Sequence, residues 1–372
     1  VKRIAWISSW DRVCGIADYS KVLVPEIRKA AASDFSLEIV SLDQFKTQAD
    51  ITGKIQKIAP DLIHIQHEYG LYGGKNPPLY IFPRLIKRMQ EVAPNAKILA
   101  TAHTVLTENY RFEIGGRQWQ APLRWVANQL ALPFLRPHWL EKTWSRIDAG
   151  IVHSSLQVDT LKSAGCPKVR EIPHFAPTAN PSFVLRPEVG KKKILVFGFI
   201  TPEKGQDIVV EALSYLSPEM TLTIAGGVRR KEDQRYYRQL LVKIETLGLR
   251  DRVEITGFVP SEKISAFYRE ADLVITPFRA TSGSGSIAHG LSRGLPILAS
   301  DLPLNRELDT RVPGCVSFFK SEDVRDCADQ IRGLFSETHL RSELSKKALE
   351  YSQLYSPSAT AKAHVDFYRE LL

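Results

Sequence analysis

Short apolar runs recur along the chain, each closed by glycine, serine or a charged residue. In the first half they are Arg3–Ser8, Leu37–Leu42, Leu62–Gln66, Lys97–Thr101, Gly150–His153 and Val169–Ile172. In the second half they are Lys193–Phe199, Thr221–Ala225, Val253–Gly257, Leu273–Thr276, Ile297–Ala299 and Val316–Phe319. Near-continuous apolar runs of this length predict strands buried on both faces. Between most of them the apolar positions shift to helical spacing, as in Tyr19–Ala31, Tyr80–Val92, Gln206–Leu216, Glu232–Leu247, Ser261–Glu270 and Ser286–Ser292. Strands alternating with helices predict an α/β protein with parallel sheets wrapped on both faces.

The two series are separated by Pro173–Lys193, which carries Pro173, Pro177, Pro181 and Pro187, then Gly190 and a run of lysines. Proline density with few apolar anchors reads as a linker. The expected organisation is therefore two Rossmann-like domains facing across a cleft, residues 1–174 and 193–355, joined by 175–192. A length of 372 residues fits two cores better than one. In such sheets ligands bind at the C-terminal ends of the strands, so the residues just after each run are the ones to read for chemistry.

The net charge of +9 is compatible with a nucleic acid, an anionic membrane or a phosphate-bearing ligand. No basic run and no nucleic-acid-binding motif supports the first. Cys14, Cys166, Cys315 and Cys327 form no C-x-x-C pair and have no zinc-ligand spacing. Together with the lack of a long apolar run and of a recognisable leader, this makes the cytoplasm the expected location. Segment Glu108–Lys142 interleaves Trp119, Trp125, Phe134 and Trp139 with Arg117, Arg124, Arg136 and Lys142. Pro133 and Pro137 interrupt any continuous amphipathic helix there, so an insertion that buries its aromatics is favoured. A peripheral contact with the inner face of the membrane is the alternative.

The chemistry concentrates at strand ends. After Leu273–Thr276 come Arg279, Thr281, Ser284, Gly285 and Ser286, opening a helix. Free backbone N–H groups and serine hydroxyls in such a turn suit a phosphate. After Lys193–Phe199 come Pro202, Glu203, Lys204 and Gly205, where a lysine ammonium can reach an anion. In the first half, Gly15, Ile16 and Asp18 follow the first strand. His67, Glu68, Tyr69 and Gly70 follow the third, and His103 the fourth. No Asp-x-Asp and no His/Cys cluster points to a metal, so none is expected.

These motifs resemble the family 4 glycosyltransferases, retaining enzymes of the GT-B fold that use nucleotide sugars. Gly198, Glu203-Lys204-Gly205, Gly257-Phe-Val259-Pro260, Pro277 and Gly294-Leu-Pro-Ile-Leu-Ala-Ser300 fall in the family's order across most of the second half. The resemblance implies a C-terminal domain that binds a nucleotide-diphosphate sugar (UDP or GDP), with Gly198, Gly257, Val259 and the Arg279–His289 loop around it. It implies an N-terminal domain for a glycan or lipid-linked acceptor, with Gly15, Ile16, Asp18, Glu68 and Tyr69 near it. Lys204 would act on the leaving diphosphate and His103 on the donor sugar, without metal, in polysaccharide or glycoconjugate synthesis. Residues 356–372 would form a helix crossing back to the first domain.

Two departures stand out. The family's paired glutamates fall at Thr281 and His289, and its arginine after the first glycine is Phe199. Arg279 is the expected substitute for that charge, and His289 the expected ribose contact. The same departures leave a non-catalytic sugar-nucleotide or glycan-binding relative as an alternative. An NAD(P)-dependent oxidoreductase is the other: Gly283-Ser-Gly285 opens a helix and Asp301 ends the next strand, although the third glycine of a dinucleotide fingerprint is misplaced.

Overall fold

The computed structural model describes residues 1–12, 14–45, 47–73, 80–106, 121–126, 141–178, 192–281 and 284–372. It divides into two compact units, 1–174 with 357–372, and 175–356.

The first unit is built on a six-stranded parallel sheet. Its strands are β1 (Lys2–Ser8), β2 (Phe35–Ser41), β3 (Leu62–His67), β4 (Lys97–Ala102), β5 (Ala149–Val152) and β6 (Val169–Glu171), in the order β2-β1-β3-β4-β5-β6. Every residue of β3 and β5 is buried, the polar His64, Gln66 and His67 of β3 included. Helix Gly15–Ala31 follows β1 and buries Ala17, Ser20, Leu23, Val24, Ile27 and Ala31, a stripe spaced by three and four. Helix Pro357–Leu371 packs beside it and completes the unit. Arg369 donates to Asp34, and Arg170 donates to both oxygens of Glu370, fastening its end.

The second unit repeats the plan with β7 (Lys192–Phe197), β8 (Met220–Ala225), β9 (Val253–Ile255), β10 (Leu273–Thr276), β11 (Ile297–Ser300) and β12 (Ser317–Phe319), in the order β12-β11-β10-β7-β8-β9. All pairings are parallel. Read outward from β7, this is the Rossmann order, with its switch point between β7 and β10.

The strand runs read from sequence all form strands, displaced by at most two residues at either end. The 175–192 linker is shorter than expected on its first side. Phe175 and Ala176 are buried, and Ala176 N donates to the Tyr355 carbonyl within the second unit. Most of segment 108–142 lies outside the described residues. Within it, Ala121–Val126 is helical and Trp125 is 57% exposed, so that aromatic is not buried as the favoured reading had it. Among the described residues no helix is long and apolar enough to cross a membrane.

Candidate functional site

In the second unit the loops leaving β7 and β10 touch at the switch point. Gly205 has φ +63°, and a Cβ there would stand 2.0 Å from the Pro277 carbonyl oxygen. Only glycine satisfies both conditions. The turn Pro202–Lys204 is thereby pressed onto the loop after β10, and Lys204 Nζ lies 3.7 Å from the centre of the Phe278 ring. Burial lowers the Lys204 amine to about 8, against the opposing pull of Glu203. Among the described residues no carboxylate forms an ion pair with it.

Arg279 does a different job from the one its position suggested. Its guanidinium donates to both oxygens of Asp207, at 2.9 and 2.8 Å, and to the Pro202 carbonyl at 2.8 Å. Tyr236 Oη donates to the same carboxylate at 2.5 Å. Burial alone would raise Asp207, but these hydrogen bonds from Arg279 and Tyr236 hold it below the ordinary carboxylate range. The guanidinium is neutralised where it sits. It clamps the β10 loop to helix Gln206–Leu213 instead of offering a charge to a diphosphate.

The serines of this loop are also partly committed. Ser284 Oγ caps helix Gly285–Leu291 by accepting from Ile287 N at 3.1 Å. Ser286 is buried, with its carbonyl accepting from Tyr268 Oη at 3.0 Å. Hydroxyls expected to wrap a phosphate thus serve the local fold, while Gly285 has no atom within 4 Å of where a Cβ would be. Thr281 is half-buried in the loop before it. His289 is half-buried on the same short helix, its Nδ1 3.3 Å from Arg293 Nη1. An arginine can only donate, so His289 Nδ1 accepts and the ring proton sits on Nε2. Gly198 and Gly257 lie just past β7 and β9, both at positive φ, and Val259 is half-buried two residues on. Asp301 is taken by Arg306 through two hydrogen bonds of 2.6 and 2.8 Å, so the acid that the oxidoreductase alternative needed is not presented to a ribose.

In the first unit the corresponding switch point lies between β1 and β3. Asp43 accepts from the backbone N–H groups of Trp10 (2.7 Å), Asp11 (2.9 Å) and Arg12 (3.3 Å), and from the Arg12 guanidinium. This fixes the loop that delivers Gly15 to the start of its helix. Gly15 has no left-handed φ, and no atom lies within 4 Å of where its Cβ would stand, so nothing inside the unit demands a glycine there. Ile16 is half-buried and Asp18 exposed on the first turn. Glu68 accepts from Thr104 Oγ1 at 2.6 Å, which leaves its second oxygen outside that bond. Tyr69 is 1% exposed, inside the core beside Tyr80 and His67, so it is not available to an acceptor as expected.

His103 stands at the end of β4, and both of its ring nitrogens are engaged. Nε2 is 2.9 Å from Gln66 Oε1 and Nδ1 is 3.3 Å from His153 Nε2. The Tyr19 ring meets it edge-on at 5.0 Å, and His174 lies 5.0 Å from Tyr19. Burial, with His153, His174, His67 and His64 adding to it, holds His103 well below the usual imidazole range. Gln66, His153 and His174 gather around His103 and Tyr19, a grouping that the sequence alone did not assign to the site. The signal for His153 was present, since it ends a strand run just as His103 does. Asp207 carried none. Among the described residues no three His, Cys, Asp or Glu side chains gather as a metal site.

Residues 180–351 match the family model for glycosyl transferases group 1. The second unit is a group 1 glycosyltransferase domain. Mannosylfructose-phosphate synthase of Agrobacterium fabrum is 28% identical over 114 residues, 29% of this chain and 25% of that protein. D-inositol 3-phosphate glycosyltransferase of Xylanimonas cellulosilytica is 27% identical over 178 residues, 48% and 42% of the two. The chain thus spans less than half the length of these relatives. A crystal structure of Anabaena HepE in complex with UDP and glucose matches all of both chains, with a TM-score of 0.70 and 16% identity. The transferase domain and the unit before it therefore share the α/β, two-Rossmann GT-B fold class.

Proposed function

We propose that the protein transfers a sugar from a nucleotide-diphosphate sugar, UDP- or GDP-linked, to a glycan or lipid-linked acceptor. The observation that carries this is Lys204. A half-buried ammonium without an ion-paired carboxylate, held at the switch point by the Gly205–Pro277 contact, is arranged for an incoming anion. The names of the relatives, which describe transfer to or synthesis of sugar phosphates and glycosides, support the reading.

In the proposed reaction Lys204 neutralises the charge that builds on the departing diphosphate, where a fixed cation contributes most. Backbone amides at Gly285 approach the phosphates, and His289 donates from Nε2 to a ribose oxygen. Gly15 leaves room at the start of its helix, and the Glu68 oxygen not bonded to Thr104 receives an acceptor hydroxyl. His103, tied at both nitrogens, orients the sugar as a fixed wall and does not shuttle a proton. Retention of configuration, independence of metal and a cytoplasmic site at the inner membrane face belong to the same proposal.

The test is a thermal-shift panel of UDP, GDP, ADP, their sugar conjugates and NADH on the wild type and on Lys204→Ala. A ligand at a hundredfold its dissociation constant stabilises by about 2.7 kcal/mol. A selective shift with one nucleoside diphosphate, lost in Lys204→Ala, is expected. A shift with NADH alone would overturn the reading. Nucleotide binding without turnover would leave only a sugar-nucleotide-binding protein.

A further inference from the structure

The hydrogen bonds of His103 belong to a longer array. At one end, His153 Nδ1 lies 2.9 Å from the Ile172 carbonyl oxygen. A carbonyl only accepts, so the His153 proton is pinned on Nδ1. His153 Nε2 faces His103 Nδ1 at 3.3 Å, and His103 Nε2 faces Gln66 Oε1 at 2.9 Å. Gln66 Nε2 is 3.2 Å from His64 Nε2, and His64 reaches Thr101 Oγ1 at 2.8 Å and Tyr368 Oη at 2.6 Å. The array runs from a backbone carbonyl to a phenol on helix Pro357–Leu371.

Counting protons along it exposes a conflict. With the Gln66 oxygen toward His103, that ring must donate from Nε2, and a neutral ring then has a bare Nδ1. A neutral His153, pinned at Nδ1, has a bare Nε2. Two lone pairs would face each other at 3.3 Å. One extra proton shared by the two rings removes the conflict. So does a half-turn of the Gln66 amide. Its nitrogen then donates to His103 Nε2, and the His103 proton moves to Nδ1, where it bonds His153. In that second state His64 Nε2 donates to the Gln66 oxygen and Tyr368 donates to His64 Nδ1. Apart from Thr101 Oγ1, which shares the His64 Nε2 proton with the Gln66 oxygen, every link then joins one donor to one acceptor with all imidazoles neutral.

We infer that Gln66 is a positioning residue whose amide orientation is coupled to the proton count of the His103–His153 pair. Its nitrogen faces His103 in the neutral site and its oxygen faces His103 when the pair holds an extra proton. The groups around the pair favour the neutral state. Tyr19 faces His103 from helix Gly15–Ala31, His174 faces His153 at 5.4 Å, and His64 and His67 approach from β3. Glu68 is bonded by Thr104, and Glu171 pairs in register with Val152 on β6. The inference rests on the transferase reading only for its effect on turnover.

Gln66→Glu tests it. A carboxylate still accepts from His64, so that end of the array is unaltered. At His103 it only accepts, so the ring must donate from Nε2 and the pair keeps its extra proton. Long-range proton–nitrogen NMR of the imidazole rings, followed across pH and assigned with His103→Gln and His153→Gln, reads this without any activity. In the wild type the His103 proton is expected on Nδ1 at neutral pH. In Gln66→Glu the pair should titrate at least about one pH unit higher. A neutral wild-type His103 protonated on Nε2, or an unmoved midpoint in Gln66→Glu, overturns the inference. The wild-type tautomer decides the matter even if Gln66→Glu fails to fold. In a transfer assay Gln66→Glu should gain an acid limb. Turnover falls about tenfold below the new midpoint and recovers above it, because a fixed positive charge opposes the one that forms on the sugar carbon. The NMR result without wild-type turnover would sink the transferase reading and leave the coupling standing.

Discussion

Asp207 and Arg279 lie 72 residues apart in sequence and are joined by two hydrogen bonds of 2.9 and 2.8 Å. Because the guanidinium is committed, freeing it should not help a ligand. Asp207→Asn is expected to cost about 1 kcal/mol of stability, a value discounted for partial exposure of the pair. It should also weaken nucleoside diphosphate binding by loosening the loop after β10. Calorimetric titration alongside thermal melts checks both. Tighter binding in Asp207→Asn would hand Arg279 back to the ligand.

Gly205 is fixed by two independent constraints, a φ of +63° and a carbonyl 2.0 Å from any Cβ. Gly205→Ala should therefore destabilise the second unit by about 2 kcal/mol or more. The loss should appear as a lowered melting temperature with nucleotide affinity falling in parallel. An unchanged melt would mean that the β7 and β10 loops are not pressed together.

Lys204 gives the donor site a pH dependence. Its amine is lowered to about 8 by burial, so the free protein carries the charge below that pH and loses it above. Diphosphate affinity should decline as pH rises through the region above 8, since a bound anion itself raises the value. Lys204→Ala should bind at least about tenfold more weakly and show no such decline, which isothermal titration at several pH values would reveal.

Acid should open the first unit. Burial lowers His67 to about 3 and His364 to about 4, whereas both regain an ordinary value near 6.5 on unfolding. Above pH 6.5 both rings are neutral whether folded or unfolded, so their shifted values do not change stability there. Below it the unfolded chain binds protons that the folded unit refuses, so stability falls by about 1.4 kcal/mol per histidine per pH unit until the folded values are reached. All six tryptophans, from Trp6 to Trp144, lie in the sequence of this unit, so indole fluorescence reports on it alone. A tryptophan signal flat between pH 6 and 4 would contradict the assignment.

The sheets were legible in the sequence because parallel strands covered on both faces are largely apolar, as in Ala149–Val152 and Leu273–Thr276. The residues that follow such runs were legible for the same reason. Lys204, Gly205 and His103 stand where a strand end puts them. Partnership was not legible. Nothing near Arg279 in the chain announces Asp207, and nothing near His64 announces Tyr368 on the C-terminal helix. Those pairings depend on strand order, which brings β3, β4 and β5 side by side and sets β7 against β10. Tyr69 was misread because a polar-looking strand end resembles a site. Its ring is wanted instead by the aromatic cluster of His67, Tyr72 and Tyr80.

Helix Pro357–Leu371 closes the first unit, yet the whole of 175–356 precedes it in the chain. During synthesis the second unit can therefore finish first, although its residues emerge later than β1 to β6. Until then the sheet of the first unit waits with the flank of helix Gly15–Ala31 uncovered and His64 lacking its phenol. For this protein the usual N-to-C order of domain completion on the ribosome is reversed. The first unit is therefore the part most exposed to aggregation or chaperone capture, for as long as residues 175–371 take to be made.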